Sequence, residues 1–99
     1  MKFYISGKIT ELDSEEAVVK FSQAEERLKT AGHQVVNPTK INTFHPDLKW
    51  EDYMLKNIKE LFTCGAIVML SCWESSKGAR IEHAIAKELK FHIEYWDFE

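Results

Sequence analysis

Short apolar runs and segments of helical period alternate along this chain, and the alternation predicts its elements. Phe3-Tyr4-Ile5-Ser6 is a β-prone run closed by Gly7, the pattern of a first strand. Asp13-Ser14-Glu15-Glu16 then offers a cap and an acidic first turn, Val18, Phe21, Ala24 and Leu28 recur at helical spacing, and Gly32 supplies the stop. Gln34-Val35-Val36 predicts a second strand halted by Asn37-Pro38. Thr39 to Lys49 is polar, contains Pro46 and has no clear period, which predicts a long loop of the kind that tends to carry function.

A second helix is predicted from Trp50, with Trp50, Met54, Ile58, Leu61 and Phe62 on one stripe and Cys64-Gly65 at its end. Ala66-Ile67-Val68-Met69-Leu70 is uniformly apolar, the mark of a central strand covered on both faces. Trp73-Glu74-Ser75-Ser76 turns into a third helix, and Phe91-His92-Ile93-Glu94-Tyr95 reads as a fourth strand. Strands alternating with helices imply right-handed crossovers. The expected fold is α/β, a three-layer Rossmann-like or flavodoxin-like arrangement around a mostly parallel sheet of about four or five strands.

Composition restricts the function classes. A chain of 99 residues, 44% hydrophobic and 29% charged, supplies one core, so residues 1–99 read as a single domain. No stretch approaches the roughly 20 apolar residues of a membrane span, and Met1-Lys2-Phe3-Tyr4-Ile5-Ser6 is too short for a signal peptide, so a cytoplasmic location is expected. A net charge of -3 without a dense Lys/Arg cluster argues against a nucleic-acid polymer as partner and leaves room for a small anionic ligand. Cys64 and Cys72 have neither metal-ligand spacing nor a secretory context and read as a reduced, mostly buried pair. His33, His45, His83 and His92 lie far apart and match no zinc pattern, so no metal site is expected. The single glycine of Ser6-Gly7-Lys8-Ile9-Thr10 makes neither a dinucleotide fingerprint nor a phosphate-cradling loop, so no cofactor is expected. Ser71-Cys72-Trp73 lacks the glycines of a nucleophile elbow.

One carboxylate breaks the pattern. At about 100° per residue, Ala79, Ile81, Ala84, Ile85, Ala86 and Leu89 define an apolar arc on the third helix, and Glu82 projects between Ile85 and Ala86 while Arg80, His83 and Lys87 fall opposite. Desolvation disfavours an ionised carboxylate that has neither partner nor task. Glu82 is therefore the first candidate for a catalytic group.

In open α/β sheets ligands bind beyond the carboxyl ends of the strands. Three pieces converge there: Ser6-Gly7-Lys8, Asn37-Pro38 with the long loop, and Trp73 through Gly78. Ser76 can aim its hydroxyl and the helix amides at an anion, and Gly78 permits close approach of a ligand or of backbone. Lys8 and Lys77 either add charge to the site or are solvated lysines. Trp73 either stacks on a planar base or caps the sheet as an interior aromatic. Tyr4 either orients Glu82 through its phenol or is core.

Taken together, Phe3 to Thr10, Gly32-His33-Gln34-Val35-Val36-Asn37-Pro38, Trp50-Glu51-Asp52-Tyr53-Met54 and Trp73 to Ala84 resemble the nucleoside 2-deoxyribosyltransferase superfamily, in particular a small bacterial and phage branch of it. The likeness spans nearly the whole chain. It implies a flavodoxin-like or Rossmann-like domain that cuts or exchanges the bond between base and deoxyribose. It implies further that Glu82 is the nucleophile, that Tyr4 positions it, and that Ser76 occupies a position that is serine in the monophosphate hydrolases, where it helps hold the 5'-phosphate, and aspartate in the transferases. Two positions depart from the family pattern. An aspartate that assists at the sugar or base falls at about Asn57, and the aspartate that commonly opens the central strand is replaced by Gly65. Asparagine hydrogen-bonds but cannot act as acid or base, so leaving-group protonation has no assigned residue.

The expected function is an N-glycosidase or deoxyribosyltransferase acting on a deoxynucleoside or its 5'-monophosphate, with Glu82 and Tyr4 catalytic and Gly7, Lys8, Asn57, Trp73, Ser76 and Gly78 binding substrate. The alternatives are a non-catalytic nucleotide-binding or sensing module that keeps the pocket, and an interaction protein with a vestigial cleft. The aromatic run Tyr95-Trp96-Asp97-Phe98 leaves apolar surface on a small domain and predicts a homodimer or larger homo-oligomer.

Overall fold

A computed structural model of the protein describes residues 1–8, 15–41, 49–71 and 73–96. The strands β1 (Lys2–Ser6), β2 (Gln34–Val36), β3 (Ala66–Leu70) and β4 (His92–Trp96) form one sheet in the order β2-β1-β3-β4. Every neighbouring pair is parallel, so the sheet has four strands and no antiparallel edge. The connections carry α1 (Glu15–Thr30), α2 (Pro38–Ile41), α3 (Trp50–Leu61) and α4 (Lys77–Glu88), with a 3-10 turn at Trp73–Ser75 ahead of α4.

The two-residue period of β1 sorts the layers. Phe3 and Ile5 pack with Phe21, Ala24 and Leu28 of α1, whereas Tyr4 packs with Leu61 of α3 and with Ala79 and Ala86 of α4. In β3, Ala66, Val68 and Leu70 join the α1 side and Ile67 and Met69 the other, so all five residues are buried. That double covering is why the strand has no polar alternation. The chain leaves β1 toward β2 and returns on the other side of β1 at β3, which makes the carboxyl ends of β1 and β3, at Ser6 and Leu70, the switch point of the sheet.

Several side chains depart from the expected stripes. On α1 the inward positions are Ala17, Phe21, Ala24, Glu25 and Leu28, and Val18 faces outward. On α3 they are Met54, Asn57 and Leu61, leaving Trp50 and Phe62 exposed. On α4 they are Ala79, Glu82 and Ala86, leaving Ala84 and Leu89 exposed. The sheet contacts each helix along a stripe narrower than its apolar arc, so flanking apolar residues stay in water.

Thr39–Ile41, expected as loop, belongs to α2. Asn37 accepts a hydrogen bond at Oδ1 from the Thr39 amide (3.0 Å) and Pro38 opens the helix, so the pair that ends β2 also starts α2. The rest of the predicted loop up to residue 48, the cap residues Asp13 and Ser14, and Cys72, Asp97 and Phe98 lie outside the described residues. Cys64 is buried with a free thiol, and burial raises its pKa. Trp96 is partly buried against the α1 side of the core with the Arg27 guanidinium 5.2 Å from its ring, so it is less of a loose apolar surface than expected, while Tyr95 is 59% exposed.

A buried acid ties α1 to the end of β2. Glu25 accepts from Asn37 Nδ2 (3.0 Å) and pairs with Lys29 Nζ (2.7 Å) and Lys40 Nζ (2.8 Å). Burial opposes its ionisation, and the hydrogen bonds from Lys29, Lys40 and Asn37 outweigh burial and lower its pKa to about 2. Because the folded value is depressed, its stabilisation is present above the ordinary value of 4.5 and is lost as pH falls toward about 2. Both lysines are largely exposed, so solvent screens the pairs, and Glu25→Gln is expected to cost about 1–2 kcal/mol at pH 7. In urea titrations the deficit should shrink between pH 4.5 and 2. A variant as stable as the parent at pH 7 refutes the clamp.

Candidate active site

Glu82 reaches the switch point because its helix carries small neighbours. Ala79 and Ala86, three before and four after Glu82, share its face and are fully buried, so α4 lies close over β1 and β3. Tyr4 and Ser6 are two apart on β1 and therefore point to the same side of the sheet, toward α4. Tyr4 Oη donates to Glu82 Oε2 at 2.6 Å, and Ser6 Oγ donates to Glu82 Oε1 at 2.7 Å. Each carboxylate oxygen thus accepts one hydroxyl.

The three residues are 0%, 1% and 4% exposed for Tyr4, Ser6 and Glu82. Burial raises the Glu82 carboxyl from its ordinary 4.5 to about 7, with the hydrogen bonds from Tyr4 and Ser6 pulling the other way. The Tyr4 phenol is raised well above its usual range by burial first and by the adjacent Glu82 carboxylate second. At neutral pH the site therefore holds a neutral phenol and a carboxyl group divided between its acid and its anion. Such a carboxylate can act as a nucleophile or exchange a proton.

Of the other residues expected at a site, the structure places each as follows. Ser76 is the N-cap of α4, its Oγ accepting from the Ala79 amide at 3.3 Å. Six residues separate it from Glu82, about 9 Å along the axis. Gly78 gives close approach to protein rather than to an open space: a Cβ there would sit 3.0 Å from Met54 Sδ and 3.8 Å from Trp50 Cζ2, so its role is helix packing of α4 on α3. Gly7 is buried in the same manner, where a Cβ would meet Leu70 Cβ at 3.1 Å and Phe21 Cζ at 3.3 Å. Both glycines thus let neighbouring side chains approach the backbone closely.

Asn57 is buried on the inward face of α3. Lys8 is exposed just beyond β1, and Lys77 lies 4.8 Å from the Trp50 ring centroid in a cation–π contact. Trp73 packs as a partly interior aromatic, its ring centroid 4.3 Å from that of His83 and 6.1 Å from that of Tyr95. His83 Nε2 and Tyr95 Oη are 2.7 Å apart. His83 is consequently half-buried, and burial followed by nearby Lys87 lowers its pKa.

Sequence reasoning placed Ser6 in the segment Ser6-Gly7-Lys8 that converges on the site but gave it no role there. The signal was present: the alternation that turns Tyr4 toward the Glu82 helix turns Ser6 the same way. Among the described residues no group of three or more His, Cys, Asp or Glu side chains could hold a metal ion, and no helix is long and apolar enough to cross a membrane.

The family described as domain of unknown function DUF4406 matches residues 1–95, which cover every element described above except the last residue of β4. The chain belongs to this family. No curated protein matches the chain. In this DUF4406 domain the matched span contains Tyr4, Ser6 and Glu82 together with both strands of the switch point.

Proposed function

We propose that this protein is an N-glycosidase or deoxyribosyltransferase that acts on a deoxynucleoside or its 5'-monophosphate through Glu82. The observation that carries the reading is a desolvated carboxylate gripped by two hydroxyls at the switch point of a parallel sheet. The resemblance of Phe3 to Thr10 and of Trp73 to Ala84 to the nucleoside 2-deoxyribosyltransferases supports it. So does the position of Ser76 and the α4 amides at the start of the helix that carries Glu82.

In the proposed reaction a Glu82 oxygen attacks the anomeric carbon and forms a glycosyl ester. The carbon–nitrogen bond to the base breaks, and its electron pair leaves with the base, which takes a proton from water. Water or a second base then attacks the same carbon, returns the electron pair to Glu82 and restores the carboxylate with overall retention. The low-polarity surroundings keep the nucleophile poorly solvated, and Tyr4 and Ser6 hold it in one orientation. Ser76 and the helix amides would bind the phosphate.

The assay is incubation with each of the deoxynucleoside 5'-monophosphates followed by chromatography for free base. Release that exceeds a Glu82→Ala control is the expected outcome; equal traces in both samples defeat the proposal. A binding-only module is the second reading, favoured by the amide of Asn57 where an acid would assist the leaving group. Calorimetric binding of the nucleotide without base release would select it.

A further inference from the structure

We propose that Ser6 is a second positioning residue for Glu82, acting beside Tyr4 so that a single strand holds both carboxylate oxygens. The assignment deepens the glycosidase reading and rests on it for its catalytic meaning, though not for its geometry. Ser6 Oγ lies 2.7 Å from Oε1, and Tyr4 Oη lies 2.6 Å from Oε2. With one hydrogen bond at each end, the carboxylate plane cannot rotate without losing a bond, and its 4% exposure leaves little water to replace it. Tyr4 alone would leave Oε1 buried and unpartnered and the plane free to swing about Oε2.

Burial of a serine hydroxyl at the end of a strand needs a reason. Ser6 is 1% exposed in the middle of a parallel sheet, paired in register with Met69, where an apolar residue would pack without polar cost. Its hydroxyl spends its donor on Glu82. Both hydroxyls donate, so both favour the ionised form, which is the form that attacks.

Among the described residues, the surrounding titratable groups leave this pair of bonds as the local control. Tyr4 is the titratable group of β1 that touches Glu82, and Cys64 and Glu60 bear on Tyr4. Ala66–Leu70 of β3 contains none, and the inward residues of α3 are Met54, Asn57 and Leu61. On α4 itself Arg80 and Lys87 are exposed, with Arg80 bonded to the Glu74 carbonyl, and His83 turns to Tyr95.

The test reads Glu82 directly, by carboxyl carbon NMR across pH 4 to 10 in the full chain, with Glu82→Gln identifying its signal. Ser6→Ala is expected to move the Glu82 midpoint up by about one to two pH units, the worth of one hydrogen bond to a charged group. Ser6→Cys, close in volume and a poorer donor, should move it in the same direction and serves if the alanine variant does not fold. Ser6→Thr keeps the hydroxyl and should restore the parent midpoint. An unchanged midpoint in folded Ser6→Ala or Ser6→Cys overturns the assignment, as does a threonine midpoint as high as that of alanine. In the base-release assay Ser6→Ala and Ser6→Cys should lower kcat at pH 6–7, recover toward pH 9 and leave KM within about twofold, while Ser6→Thr should follow the parent. Absence of base release from the parent protein counts against the glycosidase reading and leaves the NMR titration to decide Ser6.

Discussion

Glu82→Gln is expected to lower base release by at least about three orders of magnitude while making the folded protein more stable above neutral pH. An amide cannot form the glycosyl ester, so what remains is the contribution of binding and orientation. The stability effect follows from the sign of the shift. Glu82 is raised from 4.5 to about 7 on folding, so its contribution favours the native state fully below 4.5 and is lost as pH rises through about 7. Above that range the native state carries an ionised carboxylate in a dry place, a penalty on the order of 3 kcal/mol for a shift of this size at about 1.4 kcal/mol per unit.

Glutamine resembles the protonated acid and does not ionise, so urea midpoints of Glu82→Gln should vary less between pH 5 and 9 than those of the parent, with the variant ahead at pH 9. The parent's kcat/KM should climb with pH through a limb near 7, the value of the free protein's carboxyl. Identical pH dependence of stability in parent and variant refutes the desolvated carboxylate. Loss of activity accompanied by a lower stability of Glu82→Gln at every pH points to a structural role for Glu82 instead. Glu25 has the opposite sign, stabilising above 4.5, so the two buried glutamates act in separate pH windows and can be told apart in one titration series.

Tyr4→Phe is the second large effect. The substitution keeps the ring that fills the core and deletes one donor, leaving Glu82 Oε2 buried without a partner. A hydrogen bond to a charged group is worth about 1.5–3 kcal/mol, which corresponds to about one to two further units on the Glu82 carboxyl. From a starting value near 7, the ionised fraction at pH 7 then falls about 5- to 50-fold, and base release should fall with it. Activity should recover as pH is raised, because the missing ingredient is ionisation and not the nucleophile. The double variant Tyr4→Phe with Glu82→Gln should lose little beyond Glu82→Gln alone, since the tyrosine acts through the glutamate. A Tyr4→Phe deficit that persists unchanged at pH 9, or that adds fully to Glu82→Gln, contradicts this account.

The parts of the fold that were legible before any coordinates are those governed by local chemistry. The short β-prone run at Phe3–Ser6 read as a strand, the uniformly apolar Ala66–Leu70 as a strand buried on two faces, and the spacing of Phe21, Ala24 and Leu28 as a helix. The conflict between Glu82 and its apolar neighbours was equally local, because a helix places residues by angle alone. Where the reading slipped, the stripe width was at issue: Val18, Trp50, Ala84 and Leu89 satisfy the period yet face outward, since contact with a twisted sheet selects only part of an apolar arc. Asn37-Pro38 was read as the end of a strand and is also the start of a helix, because the same two residues serve both purposes.

The pattern of the chain determined by itself that this is a parallel α/β domain with an acid turned inward on its last helix. Only the tertiary structure decided what meets that acid. Tyr4 and Ser6 lie more than seventy residues from Glu82, and their convergence depends on how closely α4 settles on β1, which Ala79 and Ala86 permit. It likewise decided that Gly7 and Gly78 are spent on packing against Phe21, Leu70 and Met54, since a glycine records that something comes near and not what it is. Spacing along the chain fixes angles within one element, whereas hydrogen bonds between elements depend on distances that every packed side chain in between helps to set.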